Sequence, residues 1–336
     1  MKLLARRHLI AAAIAALPLF AHAQKAPLVI KFSYTIAADT PKGKATQKFK
    51  ELVEERTKGA VKVEIYPNAS LFKDKEEIEA LQVGAVQMLA PAVSKFGPMG
   101  VREFEAFDLP YLFDNDAELK KVLEGPIGSG LLQKLQPKGA VGLAYWMGGF
   151  RGLSANKVLK TPADSRGLKF RIPSSKVLDS EIRAIGGIPQ VMASSEVYQG
   201  LDTKVVDGTE TTASNMYTLK LHEVQQHFTL TNHSALIYAV IVNKAFWDGI
   251  PAPTRVTLEG AMRDATKFGN DLAAKDNEDA IAGIKKSGKT QVLDLTAQER
   301  AVWKKAWVKV HAEHANKIGQ ELIQSIYKVT EFDPNN

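Results

Sequence analysis

The residues 168–172 read Leu168-Lys169-Phe170-Arg171-Ile172. A strand sends successive side chains to opposite faces, so Phe170 and Ile172 share an apolar face while Lys169 and Arg171 share the other. The strand ends at Pro173-Ser174-Ser175, which allows Arg171 to point into a cleft. A planar guanidinium there grips a carboxylate through two parallel hydrogen bonds, a geometry that an ammonium does not match. A surface or structurally paired arginine is the plainer alternative. Arg151 is a second candidate, behind the turn Gly148-Gly149-Phe150, where glycines let a ligand approach the backbone closely.

Catalytic chemistry finds little support. The chain has no Gly-x-Ser-x-Gly and no Gly-x-Gly-x-x-Gly opening a helix; residues 283–290 spell Gly-x-x-x-x-Gly-Lys-Thr, but at the end of a predicted helix and not between a strand and a helix, where phosphate binding requires it. His311 and His314 lie three apart on a predicted helix, but Lys309 and Lys317 beside them repel a metal, so a solvated face is expected. His222 and His227 fall in a polar stretch and are expected at the surface, and His233 as a hydrogen-bonded core residue. A secreted hydrolase or lyase could draw only on Glu196 or Glu210. A structural or adhesive role would leave no saturable ligand.

The N-terminus sets the compartment. Lys2, Arg6 and Arg7 precede an apolar run at residues 9–20 and the small residues of Ala21-His22-Ala23, the pattern of a cleavable signal peptide, with cleavage expected after Ala23. The run is too short for a bilayer, which needs roughly 20 apolar residues, so the mature chain is expected in the periplasm. Arg6-Arg7 leaves both the ordinary secretory and the twin-arginine route open. Losing three basic residues with the signal lowers the net charge from +7 to +4, a mild excess. Runs such as Lys73-Asp74-Lys75-Glu76-Glu77 read as a solvated face, so no nucleic-acid partner is expected. With no cysteine, the exported chain has no disulfide and no thiolate metal site. About 310 mature residues exceed the usual span of one core, which favours two domains.

The elements that must position the arginines alternate. Residues 28–34, 61–66 and 85–90 read as strands, with helical spacing over 45–59 and from about 74 to 83 between them, the order of a parallel α/β sheet. Strands resume at 141–146, 168–172 and 205–207, and residues 235–242 form the most apolar strand of the second half. Long helices are expected at about 253–287 and 296–327, the latter opening with a capping box from Thr296 to Glu299. Two α/β lobes with a cleft between them and a helical C-terminal strap fit this order.

The motifs Val61-Lys62-Val63-Glu64-Ile65-Tyr66-Pro67-Asn68, Phe72-Lys73-Asp74, Ala80-Leu81-Gln82-Val83-Gly84-Ala85, Phe107-Asp108-Leu109-Pro110-Tyr111-Leu112-Phe113, Gly167-Leu168-Lys169-Phe170-Arg171, Ser195-Glu196-Val197-Tyr198-Gln199 and Val205-Val206-Asp207-Gly208 occur in order. With them the whole mature chain closely resembles the solute-binding proteins of tripartite ATP-independent periplasmic (TRAP) transporters, in the C4-dicarboxylate-binding subgroup. The resemblance implies a two-lobed periplasmic binding protein fold. Lobe I would be 24–148 plus 237–276, lobe II 149–236 plus 277–303, and 304–336 a C-terminal helix packing across both, after a signal peptide at 1–23. It implies a ligand carboxylate gripped by Arg171, a polar contact from Arg151, and further contacts near Tyr34, Ser94, Trp146, Ser174, Ser194, Glu210, Thr211 and Asn215. It also implies TRAP permease subunits as partners, a monomer, no cofactor, no metal and no catalysis. Ser194 stands where relatives commonly carry Phe, and Thr211 where they carry Asn. A succinate, malate or fumarate type of ligand is therefore the default, and a bulkier 2-hydroxy, 2-oxo or aromatic carboxylate the alternative.

Overall fold

The protein is described from a computed structural model covering residues 26–334; the signal segment and the cleavage position after Ala23 lie outside the described residues. Ten strands are present among them: β1 Leu28–Ser33, β2 Val61–Tyr66, β3 Met88–Leu89, β4 Ala140–Ala155, β5 Lys169–Ile172, β6 Ile188–Val191, β7 Gly208–Thr212, β8 His227–Leu230, β9 Ala235–Asn243 and β10 Gln291–Asp294. They follow the order β2-β1-β3-β9-β4-β7-β5-β6, with β8 joining β4 to β10. Pairing is parallel among β1, β2 and β3 and among β5, β6 and β7, as the βαβ alternation requires. The sheet is nevertheless mixed, because β9 runs antiparallel to β3 and β4, and β4 antiparallel to β7 and β8.

β4 is the member common to both halves. Its residues from Ala140 to Phe150 pair with β9, and those from Arg151 to Ala155 pair with β7. The pairing slips between Met147 and Gly149, and Gly149 takes φ +100, a left-handed conformation that suits a residue without Cβ. A bulge here bends the strand out of one half of the sheet and into the other. It also frees backbone groups that need partners, and these come from the helix Ala252–Ser287. Asn270 Oδ1 accepts from Met147 N at 2.8 Å, and Asn277 Nδ2 donates to Gly148 O at 3.0 Å. This 36-residue helix is roughly 54 Å long at 1.5 Å per residue, and it packs on the helices Pro41–Arg56 and Ala213–Thr218 on either side of the bend. No helix among the described residues is long and apolar enough to cross a membrane.

Three expectations are corrected. The predicted strand at 205–207 is a turn, and the strand begins at Gly208, because Asp207 instead uses its carboxylate to accept from Lys169 N at 2.8 Å. The strand predicted at 85–90 shortens to Met88–Leu89: the Gln87 side chain, not its backbone, accepts from Lys31 N. The last predicted helix is three, Ala297–Trp307, Lys309–Ile318 and Gln320–Thr330, broken at Val308 and at Gly319, whose φ is +113. The capping box of Thr296 with Glu299 is present. These helices tie distant parts of the chain: Trp303 Nε1 donates to Lys160 O at 2.9 Å and Trp307 Nε1 to Glu181 O at 2.8 Å.

Candidate functional site

Phe170 and Ile172 of β5 are buried in the core, and Arg171 projects from the other face into the space between the two halves. Its Nε donates to Met192 O at 2.9 Å, which fixes the guanidinium, and Nη2 lies 3.9 Å from Asp74 Oδ2. The two terminal nitrogens make no hydrogen bond with any described residue, so an edge carrying their donors is unspent.

Arg151 is engaged very differently. It sits just past the bend of β4, buried, with Nη1 3.2 Å from both Asp108 Oδ1 and Ser234 Oγ. Its Nε is 2.9 Å from Glu210 Oε2, an ion-pair distance without hydrogen-bond alignment. Asp108 in turn accepts from Ser175 Oγ at 2.9 Å. Three buried carboxylates, Asp108, Glu181 and Glu210, surround this one guanidinium, which cannot hold all three as anions. Burial accordingly outweighs Arg151 at each: it raises Asp108, pushes Glu210 up to about 7, and lifts Glu181 well above the carboxylate range. Burial also pulls His233 down to about 3, so it is neutral, with Nδ1 2.7 Å from Thr231 Oγ1.

The facing wall comes from the first half. Lys95, in the turn Val93–Phe96, donates to both Asp74 and Glu77. Burial alone raises Asp74, but Lys95, with the hydrogen bonds from Lys95 and Ser194 N, outweighs it and holds the carboxyl well below its usual range. Asp74 Oδ2 accepts that bond from Ser194 N across the cleft. Behind this wall Lys42 Nζ donates to Ala90 O at 2.9 Å and lies 3.9 Å from the Tyr238 ring centroid; burial pulls it down to about 7.

Between the walls is a cavity of about 60 Å³, onto which Arg171, Lys95, Asp74, Glu210, Asn215 and Tyr238 face. An outer vestibule of about 290 Å³ shares Asp74, Lys95 and Pro173 with it, so these three residues form the partition. Cationic groups lining a small enclosure between two halves can hold a small anion and exclude water from it. The described residues contain no cluster of metal-ligating side chains.

Residues 32–318 match the family model described as "Bacterial extracellular solute-binding protein, family 7". The chain belongs to this family. It is 54% identical over 96% of its length, and 97% of the relative's, to the C4-dicarboxylate-binding periplasmic protein DctP of Rhodobacter capsulatus. A TRAP periplasmic solute-binding protein from Shewanella oneidensis, solved with bound succinate, superposes with TM-score 0.89 at 38% identity, covering 91% of this chain and 100% of that one. The sugar-acid-binding protein DctPAm of Advenella mimigardefordensis, solved with galactonate, superposes with TM-score 0.88 at 30% identity over 91% of this chain and 98% of that one. The protein is thus an exported, periplasmic solute-binding protein that carries a small carboxylate to the membrane permease of a TRAP transporter, and it is a carrier rather than a catalyst.

Within this family-7 binding protein, Arg171, Arg151, Ser194, Glu210, Thr211 and Asn215 all face the inner cavity. Ser174 lines the vestibule instead. Ser94 is buried next to Lys95, its Oγ without a hydrogen-bond partner. Trp146 and Tyr34 lie in the core behind the cavity: Trp146 stacks on Phe32 and donates from Nε1 to Thr266 Oγ1 at 2.9 Å, and Tyr34 packs edge-on against the same Phe32. Asp74, Lys95 and Tyr238 were not anticipated. The run from Lys73 to Glu77 is no uniform solvated face, since Asp74 and Glu77 turn inward to Lys95. A tyrosine within the otherwise apolar strand 235–242 was a signal available in the sequence. The histidine expectations also change. His311 and His314 are buried, not solvated, because Pro110 O and Tyr327 Oη partner the first at 2.7 and 2.6 Å and Ser180 Oγ the second at 2.8 Å. His222 is likewise buried, stacked on Tyr217.

Proposed function

We propose that the cargo is a C4-dicarboxylate of the succinate, malate or fumarate type, with one carboxylate held bidentately by Arg171. The observation that carries this reading is the unspent guanidinium edge of Arg171 facing a cavity of about 60 Å³. One water needs roughly 10–15 Å³ on this measure, so the space suits a four-carbon chain better than an aryl acid, even with Ser194 in place of an aromatic side chain. Likeness to a C4-dicarboxylate-binding relative and to a succinate-bound structure supports the same ligand. Calorimetric titration with succinate, malate, galactonate and an aryl 2-hydroxy acid tests it. The four-carbon acids are expected to bind most tightly. Tight binding of the aryl acid with none of succinate would overturn the reading, and Ser194→Phe would then abolish the aryl complex by overlap.

The lobes are assigned as 24–148 plus 237–276 and 149–236 plus 277–303, with 304–336 across them. The assignment is supported by the change of β4 from β9 to β7 near Gly149 and by His311 and His314, which reach Pro110 of one lobe and Ser180 of the other. Cleavage after Ala23 and a monomeric mature protein complete the proposal; mass spectrometry of the periplasmic form reads both.

A further inference from the structure

The geometry points to Lys95 as the second anchor of a dianionic ligand: when Arg171 of lobe II holds one carboxylate, the Lys95 ammonium of lobe I receives the other, and this contact selects dicarboxylates over monocarboxylates. The inference rests on the carboxylate reading above and assigns a specificity-determining residue within it.

Lys95 has a structural task, since it neutralises Asp74 and Glu77. That task does not exhaust it. An ammonium has three donors, and the two carboxylates account for two of them. The residue is buried, yet it faces the inner cavity as well as the vestibule, a position that an ion pair serving stability alone does not require. Arg171 reaches toward the same Asp74 carboxylate from the opposite lobe, with Nη2 at 3.9 Å. Two cations thus approach the cavity from opposing walls on either side of the Asp74 carboxylate, where a short dianion can meet one with each end. The wall around Lys95 also holds an unspent donor: the Ser94 hydroxyl is buried without a hydrogen-bond partner.

The surrounding charges permit a second anion. Besides Asp74 and Glu77, the groups that act on this cluster are the cations Lys42 and Arg171. Burial raises Glu77 and pulls Lys42, behind the wall, down to about 7.

The test compares succinate with succinamate, which keeps the shape and removes one charge, by calorimetry at pH 7.5 and low salt. Wild-type protein is expected to prefer succinate by at least about tenfold, in keeping with the usual strength of a charge-assisted hydrogen bond. Lys95→Gln is expected to reduce that preference to less than about threefold, because any loss from the altered Asp74 pairing falls on both ligands alike and cancels in the ratio. A wild-type preference near one, or a full preference retained in Lys95→Gln, overturns the proposal. Should Lys95→Gln fail to fold with Asp74 and Glu77 unpaired, Glu77→Gln combined with Lys95→Gln removes one charge of each sign and gives the same reading. A crystal structure of the wild-type succinate complex needs no variant: a ligand carboxylate within hydrogen-bond reach of Lys95 Nζ supports the proposal, and both carboxylates out of its reach overturn it. Absence of any succinate binding would instead overturn the cargo reading itself, whereas succinate binding indifferent to Lys95 removes only this inference.

Discussion

Arg151 spends its guanidinium on Asp108, Ser234 and Glu210, whereas Arg171 spends one nitrogen on a carbonyl and keeps the others for the cavity. The same residue type thus serves as a pillar at one position and as a clamp at the other. Glu210 shows what burial does to a carboxylate that shares Arg151 with Asp108 and Glu181. Its folded pKa is raised from 4.5 to about 7, so the folded state binds the proton more tightly than the unfolded chain. The resulting stabilisation is fully present below pH 4.5 and is lost as pH rises through 7, an effect on the order of 3 kcal/mol. Glu210→Gln is expected to flatten the stability profile between pH 4.5 and 7 in urea titrations; an unchanged slope would show that Glu210 stays ionised beside Arg151. Arg171 was legible in the sequence because strand alternation separates it from Phe170 and Ile172. Asp74 and Lys95 were not, because composition does not reveal which charges of a mixed run face inward when their partner lies some 20 residues away in the chain.

At the scale of elements, the bend in β4 depends on two side chains of one long helix. A Cβ on Gly149 would lie 2.5 Å from Asn277 Nδ2 and would occupy a backbone at φ +100. Gly149→Ala is therefore expected to lose roughly 1–3 kcal/mol, and Asn277→Ala a similar amount, since it strips partners from Gly148 O and from Ser214 N. Thermal unfolding of both variants checks this, and wild-type stability in either would contradict the role given to the bend. Periodicity revealed the apolar strands and the long helix. It missed the sharing of β4 between the two halves of the sheet, because Gly148-Gly149-Phe150 reads as a turn that ends the strand, whereas β4 runs on through it from Ala140 to Ala155. It also joined the last three helices into one, since apolar spacing runs on through Val308 and Gly319 while the chain turns.

For the whole molecule, the lobes meet across the cleft through Asp74 with Ser194 N and through Lys73 with Glu196 at 3.2 Å. The second pair is exposed and contributes little; the first is partly buried and lies at the partition. These contacts describe a closed form, and hinge closure about Gly149 on ligand capture is the expected motion. Small-angle scattering should give a smaller radius of gyration with saturating succinate than without it, and no change would argue against closure.

The central claim is that a carboxylate cargo is held by Arg171 in the closed cavity, and calorimetry of succinate with wild-type protein, Arg171→Ala and Arg171→Lys tests it most directly. A charge-assisted, bidentate contact is worth roughly 1.5–3 kcal/mol, so Arg171→Ala is predicted to weaken binding at least about tenfold, with Arg171→Lys recovering only part of the loss. Undiminished affinity in a correctly folded Arg171→Ala protein would contradict the account.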